Sequence, residues 1–357
     1  MKSFKILSSL LIIVSICSCA PTIKNFAKYQ KQFLTETQFM PSEENLEGKA
    51  PKVVVFEFDE ANIETAKQAD LGNTIAKSVE GVLASNRLAE IVDRKSASKL
   101  QKEVQLAEMN KTGAYKGPRI ADYAISGSIS NADYSSKYNS GSTYINPRNG
   151  QVISIPPKYI YSSNVAGNVK IFELPSLQVV EVIEMKGKNV RSENVQTNGG
   201  LSLGGIKIGG EDVAGQSKDD GMVRKAGEDA IDEASTDIKN FFAKKGFIME
   251  KRVFDNKTIF KINVGSIDGV KHGDKIEISS QFEVENPISG KSEIERRIIG
   301  SGKVSQLIDP KSSWIILDDK DQESAIRLGD AVKLKYKKSA MKSLIKATGN
   351  AITSSGL

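Results

Sequence analysis

The sequence is poor in the residues from which most active sites are built. Of 357 residues, two are cysteine, one is histidine and one is tryptophan. Both cysteines, Cys17 and Cys19, lie near the N-terminus. The rest of the chain therefore has no thiol nucleophile, thiolate metal site or internal disulfide. A single histidine, His272 in GVKHGD, leaves serine–histidine–acid triads and zinc sites short of parts, and a turn of that composition is expected to leave it exposed. Carboxylate pairs do occur, at Asp219–Asp220 and Asp318–Asp319, but in polar, loop-like sequence where solvation is the ordinary outcome. No enzyme chemistry, metal or cofactor is expected. Apolar runs are short as well: the strongest, Ile6–Ile16, is well below the ~20 residues that span a bilayer as a helix. Charge is nearly balanced, 50 basic against 44 acidic side chains. Residues 1–18 hold two of the lysines and no acid, so the remainder stands at 48 against 44, too mild an excess to imply nucleic acid.

What is present begins with Lys2 and Lys5 ahead of that short apolar run, the charge and length of a secretory signal. The tetrad Ile16-Cys17-Ser18-Cys19 resembles the lipobox of bacterial lipoproteins. That resemblance implies removal of residues 1–18 and acylation of Cys19, which follows the small Ser18. Ala20, where an aspartate would mark retention, implies sorting to the outer membrane, with the protein lipid-anchored and mainly facing the periplasm. Residues 19–50 are polar with scattered aromatics (Phe26, Tyr29, Phe33, Phe39) and read as an anchor segment.

Order begins at KVVVFEF, Lys52–Phe58, a buried strand by its branched residues. Leu71, Ile75, Val79, Val82 and Leu83 follow at helical spacing, with Asp70 placed to cap them. A strand near Ile91 and Val92 and a helix carrying Leu100, Val104 and Ala107 come next. YAISGSI, Tyr123–Ile129, is a further strand, with two more near Val165–Leu174 and Leu177–Lys186. From about Gly221 to Lys245 a long helix aligns Val223, Ala226, Ala230, Ala234, Ile238, Phe241 and Phe242 before Gly246 stops it. The expectation over residues 51–246 is an α+β domain, a mixed sheet with covering helices. Beyond it, residues 247–337 turn to short strands and tight turns, the pattern of a small all-β barrel. There GVKHGDKIEI recurs in outline as AIRLGDAVKLK, and the Gly273-Asp274 and Gly329-Asp330 pairs read as turn and cap chemistry. A basic tail, 338–357, closes the chain.

One stretch stands apart. GGLSLGGIKIGG, Gly199–Gly210, fails as a phosphate loop because Lys207 is followed by Ile208, and as a dinucleotide loop because no helix opens on its last glycine. As a hairpin with Gly204 and Gly205 in a two-residue turn, it pairs Leu203 with Ile206 and Leu201 with Ile208. Those four apolar residues then share one face, opposite Ser202 and Lys207. A lipid-facing hairpin and an ordinary exposed one both fit this pattern.

VVVFEF, IVDR (Ile91–Arg94), LQKEVQLAEM (Leu100–Met109) and ADYAISGSI (Ala121–Ile129), in that order and behind a lipobox, resemble the CsgG/HfaB lipoproteins, which include the curli secretion channel. The resemblance covers about residues 50–245. It implies a homo-oligomeric ring in which each subunit lends two β-hairpins to one outer-membrane barrel, so the partners are further copies, membrane lipid and a secreted or anchored surface protein. The hairpins would lie at about 134–164, with NPRNG as the turn, and at 191–214, where GGLSLGGIKIGG sits. Pro156 and Pro157 cannot donate ladder hydrogen bonds and are expected beyond the hydrocarbon or at a bulge. Where the curli channel carries a collar of aromatic and asparagine side chains, Asp59–Asp70 has no aromatic residue and only Asn62. Residues 247–337 resemble the C-terminal SH3-like domain of the flagellar assembly protein FlgT. Two other functions follow from these likenesses: a periplasmic ring accessory of the flagellar motor, and a lipoprotein activator of peptidoglycan synthesis. The activators carry a long proline-rich tether, whereas residues 20–50 hold only Pro21 and Pro41.

Overall fold

A computed structural model describes residues 20–43, 46, 49–93, 100–102, 104, 120–194, 201–203, 206–208, 219–288 and 290–338. The signal residues 1–18, the lipobox Cys19, Ala107, Gly204 and Gly205 lie outside them. In chain order the strands are β1 (Gln30–Gln32), β2 (Lys52–Val55), β3 (Glu90–Ile91), β4 (Tyr123–Asn139), β5 (Ser142–Ile145), β6 (Val152–Ile155), β7 (Lys158–Glu173) and β8 (Gln178–Asn194). They continue with β9 (Leu201–Leu203), β10 (Ile206–Ile208), β11 (Lys245–Phe254), β12 (Lys257–Ile262), β13 (Lys275–Glu285), β14 (Ser292–Ile308), β15 (Ser313–Leu317) and β16 (Ala331–Lys335). The helices are α1 (Glu64–Gln68), α2 (Leu71–Ser85) and α3 (Asp220–Phe241). The chain is α+β and its described residues fall into two compact units, one within 51–241 together with 337 and 338, the other within 242–336 together with those between 20 and 50.

The first unit is built on a mixed sheet in the order β3-β2-β4-β7-β8. β2 runs parallel to β3 and β4, while β4, β7 and β8 are antiparallel. Val53, Val54 and Val55 are wholly buried because both faces of β2 are covered. Leu71, Ile75, Val79 and Leu83 of α2 and Val223, Ala226, Ala230 and Ile238 of α3 are likewise buried. On the other face Val54, Phe56, Ala124 and Phe172 cluster with Leu100 and Val104. The small residues of α3 set how near it lies to β8. A Cβ added to Gly187 would stand 2.0 Å from the Ala226 carbonyl oxygen and 2.4 Å from the Ala230 nitrogen.

Three local expectations are corrected. Asp70 does not cap α2 with its side chain; it is a left-handed joint between α1 and α2 (φ 50°). Its carboxylate accepts Asn73 Nδ2 at 2.9 Å, and the free Gly72 N–H of the first turn donates instead to Glu60 Oε1 at 2.7 Å. Gly246 does not stop the long helix: α3 ends at Phe241, and Gly246 already lies in β11, where Asn263 Oδ1 leaves no room for a Cβ. The central strands are far longer than their apolar runs, because β4, β7 and β8 keep pairing through polar sequence as far as Asn139, Lys158 and Asn194.

The second unit is a closed barrel. Six strands follow one another as β11-β12-β15-β14-β13-β16, and β16 returns to pair with β11. Phe260, Ile262, Ile276, Ile278, Val304 and Ile315 fill it. The residues expected to be an anchor segment pack on this barrel: β1 pairs with β11, Leu34 enters the core, and Ile23 and Tyr29 cluster with Ile259 and Trp314. The recurrence seen in sequence is a structural repeat. Lys271 N–H donates to Asp274 Oδ2 at 2.8 Å and Arg327 N–H to Asp330 Oδ2 at 2.6 Å. Gly273 and Gly329 have φ of 86° and 87°, a backbone that favours glycine. The registers agree: Ile276 opposite Gly302 on β14 is matched by Val332 opposite Gly246 on β11, each partner shifted by the 56 positions that separate Gly273 from Gly329.

Candidate membrane-facing strands and the tyrosine ladder at their base

Past a bulge between Ile129 and Asn131, β4, β7 and β8 continue as a three-stranded ribbon whose first part is still covered by α3 at Gly187 and still buried at Val165 and Tyr161. Side chains alternate across a strand, so Tyr134 and Tyr138 of YSSKY share a face, as do Tyr159 and Tyr161 of YIY. Register sets Tyr138 opposite Tyr159 and Ser136 opposite Tyr161. The rings form a ladder: Tyr138–Tyr159 centroids are 5.0 Å apart, Tyr159–Tyr161 6.1 Å and Tyr134–Tyr161 6.3 Å. Arg191 of β8 lies over the Tyr161 ring at 5.4 Å.

Arg191 also joins the ribbon to α3. Its guanidinium meets Asp219 Oδ2 at 3.0 Å and Glu193 Oε1 at 3.3 Å. The other Asp219 oxygen accepts the Gly221 N–H at 2.9 Å, satisfying a free donor at the start of α3. One carboxylate thus ties a helix end to a strand. The Tyr134 hydroxyl is buried without a hydrogen-bond partner. Burial first, then the Tyr161 and Asp219 groups beside it, push its pKa up, so it stays a neutral phenol. On the opposite face Ser135 meets Ser162 at 2.8 Å and Asn164 Nδ2 donates to Asp133 Oδ1 at 2.8 Å. The ribbon is aromatic on one side and polar on the other.

At its end the ribbon bends into a hairpin of β5 and β6. NPRNG makes the turn: Gly150 N–H donates to the Asn146 carbonyl at 2.9 Å with φ 68°. Gly141 has φ 72°, and a Cβ there would strike the Ile155 carbonyl oxygen at 2.6 Å, which marks the kink between ribbon and hairpin. Pro156 and Pro157 fall between β6 and β7, outside both ladders. Apolar side chains crowd this tip in water: Tyr144 is 49%, Ile145 65% and Val152 63% exposed.

Between β8 and α3, β9 and β10 pair antiparallel with Leu203 opposite Ile206, Ser202 opposite Lys207 and Leu201 opposite Ile208. This is the register that a two-residue turn at positions 204 and 205 requires. Asp59–Asp70 holds the short helix α1, with Ala66 and Ala69 buried and Asn62 exposed. His272 is exposed, its Nε2 3.0 Å from the Pro21 carbonyl oxygen. Among the described residues no group of three or more histidine, cysteine or acidic side chains could hold a metal ion, and no helix is long and apolar enough to cross a membrane.

The tyrosine ladder and the Arg191–Asp219 tie were missed in the sequence. Even spacing within YSSKY and YIY was the available signal for the ladder, whereas nothing in sequence pairs positions 191 and 219.

No family model matches the chain, and no curated protein matches it. Among solved structures it is similar to a PelC dodecamer from Paraburkholderia phytofirmans, with 10% identity and a TM-score of 0.23 over 58% of this chain and 97% of that one. A likeness of that size carries no argument about fold or function.

Proposed function

We propose that this chain is an outer-membrane lipoprotein, anchored through Cys19 and facing mainly the periplasm, whose copies form a ring that secretes, anchors or scaffolds a surface structure. The ribbon of β4, β7 and β8 supports this reading most. It extends beyond the folded core, sorts aromatic from polar side chains, and leads directly into one apolar-tipped hairpin, with a second between β8 and α3. Residues 131–139 of β4 reach the lower end of the roughly 9 to 11 residues that a transmembrane strand needs, with β5 beyond the kink at Gly141. A lone ribbon leaves β8 with an open edge, in lipid a cost of several kcal/mol for each unpaired backbone group. A neighbouring subunit removes that cost, and below the ribbon, level with Lys170–Phe172 of β7, the exposed Val179, Val180 and Val182 of β8 give it apolar surface to meet. Three acyl chains on Cys19 hold the ring at the bilayer, each buried methylene contributing about 0.8 kcal/mol. In this reading Leu201, Leu203, Ile206 and Ile208 face lipid, Gly204 and Gly205 form the turn, and the closed barrel is an SH3-like periplasmic module for the secreted, anchored or motor partner.

The test compares three variants of the second hairpin. Leu203→Arg and Ile206→Arg should each impair assembly, because arginine on the lipid face costs about 2–4 kcal/mol at mid-depth in every subunit. Ser202→Arg, on the other face, should be milder. The measurement is heat-resistant oligomer in outer-membrane fractions. Wild-type assembly in all three would remove the membrane hairpin, and a fully active monomer would instead fit an activator of peptidoglycan synthesis.

A further inference from the structure

We propose that the cleft on the barrel between β11, β16 and residues 37–42 binds a phosphate group. The cleft has a volume of about 740 Å³ and is lined by Lys245, Lys333 and Arg296. Lys245 and Lys333 are directly opposite each other on β11 and β16, an arrangement that is destabilising for like charges unless an anion joins them. Both lysines have depressed pKa values. For Lys245 the cause is desolvation and then the Arg296 charge; for Lys333 it is desolvation and then Lys245 and Lys335. Lys245 keeps part of its surface in water, which leaves it open to a ligand.

The acids of the cleft offset these charges only in part, Glu277 acting on Lys333. Glu277, opposite Lys333, gives Oε2 to Lys335 Nζ at 3.2 Å. Asp330 is buried at the far end, where one oxygen accepts the Arg327 N–H and burial raises its pKa. Among the described residues, Lys245, Lys333 and Arg296 form no ion pair within 4.0 Å. Two ammonium groups and a guanidinium fork suit the several oxygens of a phosphate. Exposed Met40 and Ile298 form an apolar lip beside them, which suits a phosphate carried on an apolar group. A lipid headgroup and a free phosphate ester share that chemistry.

The inference does not rest on the membrane reading, and its test uses the full-length protein in a neutral detergent. Titration calorimetry with inorganic phosphate and with dihexanoyl phosphatidic acid should give saturable binding, accompanied by proton uptake at alkaline pH as the depressed lysines regain their protons. Lys333→Gln and Arg296→Gln should each weaken it roughly tenfold, the scale of one charge-assisted hydrogen bond. Lys257→Gln, outside the cleft, should not. Tighter binding of the phosphatidic acid points to a lipid source, and equal binding to a soluble one; either supports the site. Absence of binding to both ligands, or binding insensitive to Lys333→Gln and Arg296→Gln, would overturn it.

Discussion

The barrel and the mixed sheet handle their edges in opposite ways. In the barrel β16 returns to β11, so the six strands close on one another and β1 adds to the side of β11. The sheet instead ends at the two-residue β3 on one side and at the long β8 on the other. Closure makes a strand set self-sufficient, whereas an open, long edge is a template for pairing. On that ground the proposed subunit contact falls on β8, the long open edge, rather than on the closed barrel.

Four substitutions break or sharpen this contrast. The largest effect is expected from Gly187→Val, because the new side chain meets backbone atoms of α3 that cannot step aside. It should cost the sheet unit about 3 kcal/mol or more. Urea unfolding followed by circular dichroism should show this loss. Fluorescence of Trp314, the one tryptophan, should keep its midpoint because it reports the barrel; an equal shift in both signals would mean that the two units unfold together.

Arg191→Leu comes next. It removes the link from β8 to Asp219 and the cation over Tyr161, both partly exposed, and should cost about 1 kcal/mol. A drop in thermal midpoint with unchanged circular dichroism is the expected readout.

Asp330→Asn probes the repeat in the barrel. Burial raises the Asp330 pKa above its ordinary 3.8, so the folded state holds that proton more tightly than the unfolded one. Its contribution to stability is complete below the unfolded pKa and is lost as pH rises through the folded value. Asparagine carries no charge and can still accept the Arg327 N–H. The variant should therefore be more stable than the parent at pH 7, by a margin that shrinks as the pH falls toward 4. Asp274, the matching residue, is also raised by burial and should behave alike. Urea midpoints of Asp330→Asn measured across that pH range and flat relative to the parent would contradict the linkage.

Smallest in folding energy is Val182→Lys, an exposed position on β8 where substitution should change stability by less than about 0.5 kcal/mol. Where copies pair through β8 as proposed, its effect falls on assembly instead: sedimentation should show a smaller species with unaltered unfolding. An unchanged oligomer would move the subunit interface away from β8.

Much of the fold could be read from local pattern. The branched run at Val53–Val55 had to be buried on both faces, the stripe from Val223 to Ile238 had to be one side of a helix, and the two Gly-Asp turns had to be alike because their residue order is alike. The hairpin register at Leu203 and Ile206 followed from its glycine pairs. The ribbon was harder to read, since Ser, Asn and Lys between the tyrosines give β4 and β7 no apolar period, and only their mutual pairing makes them strands. Helix ends were harder still: α2 is capped from Glu60, twelve positions before Gly72, and no nearby residue announces it.

Sequence by itself determined which segments carry apolar stripes and alternation, where glycine must turn the chain, and that residues 20–357 hold no cysteine and one histidine, because each depends on residue type and short-range spacing. Only the tertiary structure decided that the barrel closes, that residues 20–37 pack on it, that Arg191 meets Asp219, and that Lys245 faces Lys333. These depend on register between strands far apart in the chain, and a shift of one residue in register would turn each of those side chains to the other face.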